Sequence, residues 1–153
     1  LSDPLSSGSM SKDLYFVAVK LFLRDGDKLL ITHDVWDAWD LVGGRLRRED
    51  FATPLEQVVK RKVTEELGEK VQYKLGRPIV FFRHERKEAG LDGQLVRIFA
   101  VGYEAEYLSG DIKLWQHHDK MEWVDVATFK PENYFEGGWL KGVQEYLKIA
   151  KSK

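Results

Sequence analysis

The chain reads as an α+β protein in which two helices sandwich a mixed β-sheet, and three observations predict that arrangement. Strand-like runs rich in β-branched and aromatic residues dominate it, two amphipathic helical stretches stand far apart in sequence, and the two kinds of element do not alternate as βαβ units would. With 153 residues, 43% of them hydrophobic, the chain can bury one sizeable core but not two comfortable ones, so residues 10–153 read as a single domain. The opening LSDPLSSGS, residues 1–9, lacks the charged-then-apolar layout of a signal peptide and reads as the remnant of an expression tag.

The elements follow in order. LYFVAVKLFL, from Leu14 to Leu23, then the turn DGDK and KLLIT, predict a β-hairpin. The loop HDVWDAWD leads through Leu41 and Val42 into Gly43 and Gly44, where paired glycines permit positive φ and close backbone approach. Thr53-Pro54-Leu55-Glu56 offers a capping hydroxyl, a proline at the first helical position and a glutamate at the third, so a capped helix is expected to start there. Leu55, Val58, Val59, Val63 and Leu67 form its apolar stripe, which stops at Gly68. PIVFFRHER and LVRIFAVGYEAEY predict two strands joined by the loop KEAGLDGQ, and MEWVDV a short one. Leu140, Val143, Tyr146, Leu147 and Ala150 predict a closing helix over Trp139 to Ile149.

Composition removes several function classes. The 24 basic and 25 acidic side chains nearly cancel, so no global field draws the protein to nucleic acid or to a membrane surface, and any anion recognition must be local. The absence of cysteine excludes a disulfide scaffold, thiolate zinc sites and a catalytic thiol, and suits a cytoplasmic setting. No run reaches the roughly 18 consecutive apolar residues of a spanning helix.

One local feature runs against helix physics. If Gly68 ends the helix, Glu65 and Glu66 sit in its last turn, at the negative end of the macrodipole, where each costs on the order of 0.3–1 kcal/mol. A function would offset that cost. Arg61 and Glu65 lie one turn apart, and Glu66 is about 100° round the axis from Glu65, so two carboxylates can converge near the glycine turn. Mg²⁺ takes oxygen ligands, commonly one or two carboxylates with waters and substrate phosphates, and a bare carbonyl from Gly43 would add to that set. The bland reading is a solvated helix end in which the acids pair with Arg61 or Lys62.

GGRLRREDFATPLEQVVKRKVTEELG resembles the signature of the Nudix hydrolases, which runs Gly, five residues, Glu, seven residues, Arg-Glu-aliphatic-any-Glu-Glu-any-Gly. Gly44, Arg61, Val63, Glu65, Glu66 and Gly68 match in type and order. The lead-in WDLVGG is similar to the family's Trp-any-Leu-Pro-Gly-Gly, with Val42 for proline, and HHDKMEWVDV is similar to its late loop and strand. The resemblance implies a Nudix-type α/β/α sandwich and a hydrolase of a nucleoside diphosphate linked to another moiety. It also implies Mg²⁺, with Mn²⁺ able to substitute, held by Gly43, Glu65 and Glu66.

Departures from the pattern matter as much. Three extra residues precede the helix, so Glu49 or Asp50 must stand in for the first acid of the signature, which in the family usually pairs with the helix arginine, here Arg61. Lys62 stands where the family usually has a glutamate serving the metal, and an ammonium cannot ligate a cation. Either it is an ordinary helix partner of Glu66, or it replaces a metal charge and meets a substrate phosphate. In family members that hydrolyse nucleotide sugars, a histidine in the late loop acts as general base, its preceding neighbour ligates metal, and the same helix glutamate is missing. By that resemblance His118 is a candidate base, with His117 or Gln116 a candidate ligand. Trp36 is a candidate stacking residue, whereas Trp39 and Trp115 read as core, and His84, Arg86 and Lys87 as a solvated rim.

Two functional readings stay open: a Mg²⁺-dependent hydrolase acting on a small nucleotide substrate, and a catalytically impaired Nudix-fold module that binds a nucleotide or a protein because Lys62 replaced a carboxylate. RNA-end processing lacks the expected basic face with interleaved aromatics. Homodimers are frequent among Nudix relatives, but no interface is legible here.

Overall fold

A computed structural model describes residues 11–88, 92–115 and 117–152. The tag-like residues 1–9, part of the loop KEAGLDGQ and the candidate ligand Gln116 lie outside the described residues. The hairpin forms as β1 (Phe16–Asp25) and β2 (Lys28–Asp34), turning at Gly26. Two short strands follow, β3 (Trp39–Asp40) and β4 (Val42–Arg45), then a 3-10 turn at Arg48–Asp50 and helix α1 (Leu55–Leu67). Long strands β5 (Gln72–Glu88) and β6 (Gln94–Ser109) precede β7 (His118–Asp125), a 3-10 turn at Pro131–Asn133 and helix α2 (Gly137–Lys151).

The strands make one mixed sheet in the order β3-β2-β1-β6-β5. β1 runs parallel to β6 from Phe16 opposite Ile98 to Arg24 opposite Glu106, while the other pairings are antiparallel. The far edge of β1 is shared: β4 pairs with Ala18 to Leu21, and β2 with Arg24 and Asp25. β7 pairs along β2. Each face carries one helix. Val58, Val59, Val63 and Leu67 of α1 pack on Val19, Leu21, Leu23, Leu30 and Val42. Val143, Tyr146 and Leu147 of α2 pack on Phe22, Ile31, Val80, Phe82 and Ala100. Cover on both faces explains why β1 is buried without interruption from Ala18 to Leu23 instead of alternating.

Three local expectations are corrected. The capping box at Thr53 does not form: Pro54 is the cap residue, with extended ψ of 140°, and no side-chain cap bond is made. Thr53 belongs to the preceding turn, its N–H donating to the Asp50 carbonyl at 2.9 Å, and Pro54 opens the helix in its place. A side-chain bond of the capping type does occur one turn earlier, where Asp50 Oδ2 accepts from the Arg47 N–H at 2.7 Å. Strand β5 starts at Gln72, well before PIVFF, because β6 pairs with it that far, with irregular register around Pro78. Likewise β7 opens at His118 and not within MEWVDV: its pairing with β2 extends to Asp34 opposite His118.

The two cores differ from the exposed loop surface in what a truncation costs. Leu67→Ala, at a fully buried position in α1, is expected to lower stability by about 2–5 kcal/mol in urea unfolding. Phe51→Ser, at a side chain 97% exposed, is expected to change it by no more than about 0.5 kcal/mol.

Candidate active site

The site is organised around a stretch of backbone that admits no side chain. Gly43 has φ of +142°, and a Cβ there would lie 2.0 Å from the Val19 carbonyl oxygen of β1. With β4 held this close to β1, the Gly43 N–H donates across 2.9 Å to Glu66 Oε2, which α1 delivers from its last turn. That helix ends at Gly68, whose φ of +92° and N–H to Thr64 carbonyl bond form the cap, while the Lys113 N–H takes up the Leu67 carbonyl. No basic residue occupies the last turn, so Glu65 and Glu66 do stand at the unfavourable end of the dipole.

Arg61 and the loop acid form the brace. The Asp50 carboxylate, with a side chain 2% exposed, takes both Arg61 terminal nitrogens at 2.7 Å in a bidentate pair. Of the alternatives Glu49 and Asp50, the structure selects Asp50, whose carboxyl is held well below the usual range by this guanidinium and by the Arg47 N–H. Arg61 Nε is buried without a hydrogen bond; its ion-pair contact is Glu65 Oε1 at 3.7 Å.

Glu65 is shared among three cations. Arg47 Nη2 donates to Oε1 at 3.1 Å, Lys62 Nζ stands 3.5 Å from Oε2, and Arg61 Nε completes the ring. Lys62 therefore pairs with Glu65 at i,i+3, where the bland reading had placed it on Glu66. Its side chain is 15% exposed and lies over the glycine turn: a Cβ at Gly44 would come within 3.0 Å of Lys62 Cε and Nζ.

Glu66 has different surroundings. Burial drives its carboxyl up to about 7, against the opposing pull of Lys20, the Gly43 N–H and Lys62. His118 Nε2 stands 3.6 Å from Glu66 Oε1, and burial pushes this imidazole down, toward the neutral form, despite Asp40 and Asp34. Opposite shifts on an adjacent carboxyl and imidazole are the kind of environment that separates acid and base roles.

Several neighbours of this corner were not legible in the sequence. Lys20 sits in the middle of a hydrophobic strand, yet it is buried beside the site, donating to Asp40 Oδ1 at 2.9 Å and to the Leu41 carbonyl at 3.3 Å, with its ammonium 4.9 Å from the Trp139 ring centroid. His33 of β2 ties β7 to the loop after β2, through Nδ1 to Asp119 at 2.7 Å and Nε2 to Asp37 at 2.8 Å. The only signal for Lys20 was a charge inside an apolar run; His33 gave none. Trp36 projects from the same loop, 70% exposed, and the exposed His117 lies against it with ring centroids 5.0 Å apart. The Val35 N–H donates to the His117 carbonyl and keeps the two together. Trp39 packs edge-on to His33 and Tyr134. Trp115, which the sequence suggested as core, is instead exposed and lines a groove of about 590 Å³ with Thr64, Glu65, Gly68 and Lys113. His84 is not a solvated rim residue, since its ring stacks on Trp139 and its Nδ1 accepts from the Gly138 N–H.

For a Mg²⁺-class ion, the oxygen donors Glu65, Glu66 and the Gly43 carbonyl are of the right chemical type and number when substrate phosphates complete the set. Among the described residues no three His, Cys, Asp or Glu side chains are grouped so as to hold an ion by themselves. The residues thus fit a cation that shares its coordination with a phosphate ligand.

Two pH dependences follow. Folding favours protonated Glu66, so its unfavourable contribution grows as pH rises above 4.5 and is complete above about 7; Glu66→Gln should raise stability by roughly 3 kcal/mol in urea unfolding at pH 8 and leave it little changed at pH 4.5. The His33 pKa is raised above 6.5 by Asp119 and Asp37, so its contribution is fully present below 6.5 and is lost as pH climbs through the raised value. The unfolding midpoints of wild type and His33→Gln should therefore differ most near pH 6 and converge in alkali.

The family described as the NUDIX domain matches residues 14–141 of this chain. No curated protein matches it. Among solved structures, an ADP-ribose pyrophosphatase from Streptococcus suis 89-1591 superposes with a TM-score of 0.64 at 13% identity, covering 92% of this chain and 95% of that one. A MutT protein from Methanosarcina mazei Go1 gives 0.64 at 19% identity, covering 91% and 96%. A UDP-X diphosphatase gives 0.63 at 11% identity, covering 95% of this chain and 67% of that one. At these identities the likeness is one of fold. With the family match over most of its length, the glycine turn and the Arg61, Glu65 and Glu66 helix in place, the chain belongs to the NUDIX domain family.

Proposed function

We propose that the protein is a Mg²⁺-dependent hydrolase of a nucleoside diphosphate linked to another moiety, with a nucleotide sugar as one such substrate. The observation that carries this reading is the meeting of Glu66, the Gly43 turn and His118 in one buried corner, with 2.9 Å and 3.6 Å between their atoms. Names of similar structures, an ADP-ribose pyrophosphatase and a UDP-X diphosphatase, support the substrate class. Glu65, Glu66 and the Gly43 carbonyl would hold the cation, which when bound neutralises the diphosphate and acidifies water. His118, kept neutral by burial, accepts the proton of the attacking water as that oxygen bonds to phosphorus or to the sugar carbon and the bridging bond breaks. Lys62, at the Gly44 turn, donates to a phosphate oxygen. Arg61 braces the loop through Asp50. Trp36 with His117 offers a stacking surface for the base or the sugar, and this assignment takes the place of a metal-ligand role for His117. A cytoplasmic setting, a small-molecule partner, no nucleic acid partner and homodimer formation belong to the same proposal.

A second reading has one observation in its favour: Glu65 is already engaged by Arg47, Arg61 and Lys62, as in a site that binds ligand without turnover. A panel of nucleoside diphosphate sugars, dinucleoside polyphosphates and nucleoside triphosphates with Mg²⁺ or Mn²⁺ separates the two. The hydrolase reading expects at least one substrate to be cleaved, with kcat reduced about 10²–10⁴-fold in His118→Ala. Solvent ¹⁸O then appears in the phosphate product or in the sugar, according to the atom attacked. A blank panel, with Lys62→Glu gaining Mg²⁺-dependent cleavage, would establish the binding module instead.

A further inference from the structure

We infer that the free protein holds no resident divalent ion, and that its cation enters only together with an anionic diphosphate, because lysine and arginine side chains already neutralise the site's carboxylates. The ligand class rests on the hydrolase reading above; the charge argument does not. Three carboxylates line the corner, those of Asp40, Glu65 and Glu66. Lys20 is bound to Asp40 at 2.9 Å, Arg47 and Lys62 hold Glu65 at 3.1 Å and 3.5 Å, and Lys20 and Lys62 both act on Glu66, whose Oε2 also accepts the Gly43 N–H. Arg61 is committed to Asp50. Lys20, Lys62 and Arg47 therefore face Asp40, Glu65 and the buried Glu66, so the corner carries no excess of negative charge before any metal arrives.

A divalent ion entering alone would meet two ammonium groups that have donors only and cannot ligate it. Lys62 has little room to withdraw, since it is 15% exposed and packed over Gly44. Lys20 has less, being 4% exposed between Asp40 and the Leu41 carbonyl. Nor do the described residues group three acidic or imidazole ligands that would compensate for this repulsion.

A diphosphate reverses the balance. Its oxygens accept from Lys62, and a Lys62 that exchanges Glu65 for phosphate leaves Glu65 Oε2 open to the cation. The same oxygens complete the coordination of a Mg²⁺-class ion, which is bound by preference through one or two carboxylates and substrate phosphates. Lys62 thus makes cation and diphosphate binding mutually dependent, and by linkage each must strengthen the other by the same factor.

The test is Mn²⁺ binding read by water-proton relaxation, which distinguishes protein-bound from free ion, with imidodiphosphate as a non-hydrolysable probe. Wild-type protein alone should bind Mn²⁺ no more tightly than about 1 mM, and saturating imidodiphosphate should tighten its retention on the protein at least about 100-fold. Lys62→Gln should bind Mn²⁺ without imidodiphosphate at least about tenfold better than wild type, and show weaker coupling. Micromolar Mn²⁺ binding by the free wild-type protein, or no tightening with imidodiphosphate, overturns the inference whatever Lys62→Gln does. Equal Mn²⁺ binding by wild type and a folded Lys62→Gln removes the role given to that ammonium and overturns it too. A failed substrate panel defeats the hydrolase reading but leaves these outcomes readable. Tight Mn²⁺ on the free protein defeats the inference while the hydrolase reading stands.

Discussion

A single hydrogen bond, from the Gly43 N–H to Glu66 Oε2, joins the parts of the molecule on which the site depends. It exists because β4 can press against β1 only where a side chain is missing, and because Glu66 stands in the last turn of α1, which ends at Leu67. The sheet sets the position of the glycine, the apolar stripe of α1 sets the rotation of the helix, and the bond registers one against the other. The Asp50–Arg61 pair repeats this logic earlier in the helix, tying the loop after β4 to α1. Two acids at the wrong end of a dipole are offset here by partners: the Gly43 N–H for Glu66, and Arg47, Arg61 and Lys62 for Glu65.

The electrostatics of the corner come from burial and from lysines rather than from a cluster of acids. Glu66 and His118 shift in opposite directions for the same reason, removal from water, which disfavours a carboxylate and an imidazolium alike. Glu65, more exposed, is shared among Arg47, Arg61 and Lys62. Two neighbours in sequence therefore differ in kind: one carboxyl is buried and pushed up to about 7, the other is shared among cations in a network. Charge in this corner is thus set by removal from water and by paired cations on both neighbours.

Beyond that corner, the loop that carries Trp36 is pinned from several directions. His33 reaches Asp37 on one side and Asp119 on the other, the Val35 N–H is bonded to the His117 carbonyl, and Trp36 lies against His117. The pairing of β7 with β2 delivers Asp119 and His118 to opposite duties, one to clamp the loop and one to face Glu66. The Trp36 loop and His118 are therefore positioned by one strand pairing, so that neither can shift without the other.

Much of this was legible in the residues themselves. Helical spacing from Leu55 to Leu67, the stop at Gly68, the glycine pair and the Arg61, Glu65 and Glu66 constellation are local patterns, and local patterns survive without knowledge of the fold. The first strand pair and both helices were equally readable. What the chain could not declare were contacts between distant segments. Thr53 looked like a cap because its neighbours fit the pattern, yet the turn before it claimed its backbone. His118 looked like loop because β2, its strand partner, lies far back in the chain. Lys20 and Asp40 are 20 residues apart, and nothing in either neighbourhood foretells an ion pair beside Glu66. The sequence alone determined where the glycine turn falls and where α1 starts its stripe and stops, which puts Arg61, Glu65 and Glu66 on that helix, through patterns spanning a few residues. Tertiary structure decided their charge states and partners, because burial and ion pairing depend on how remote strands pack.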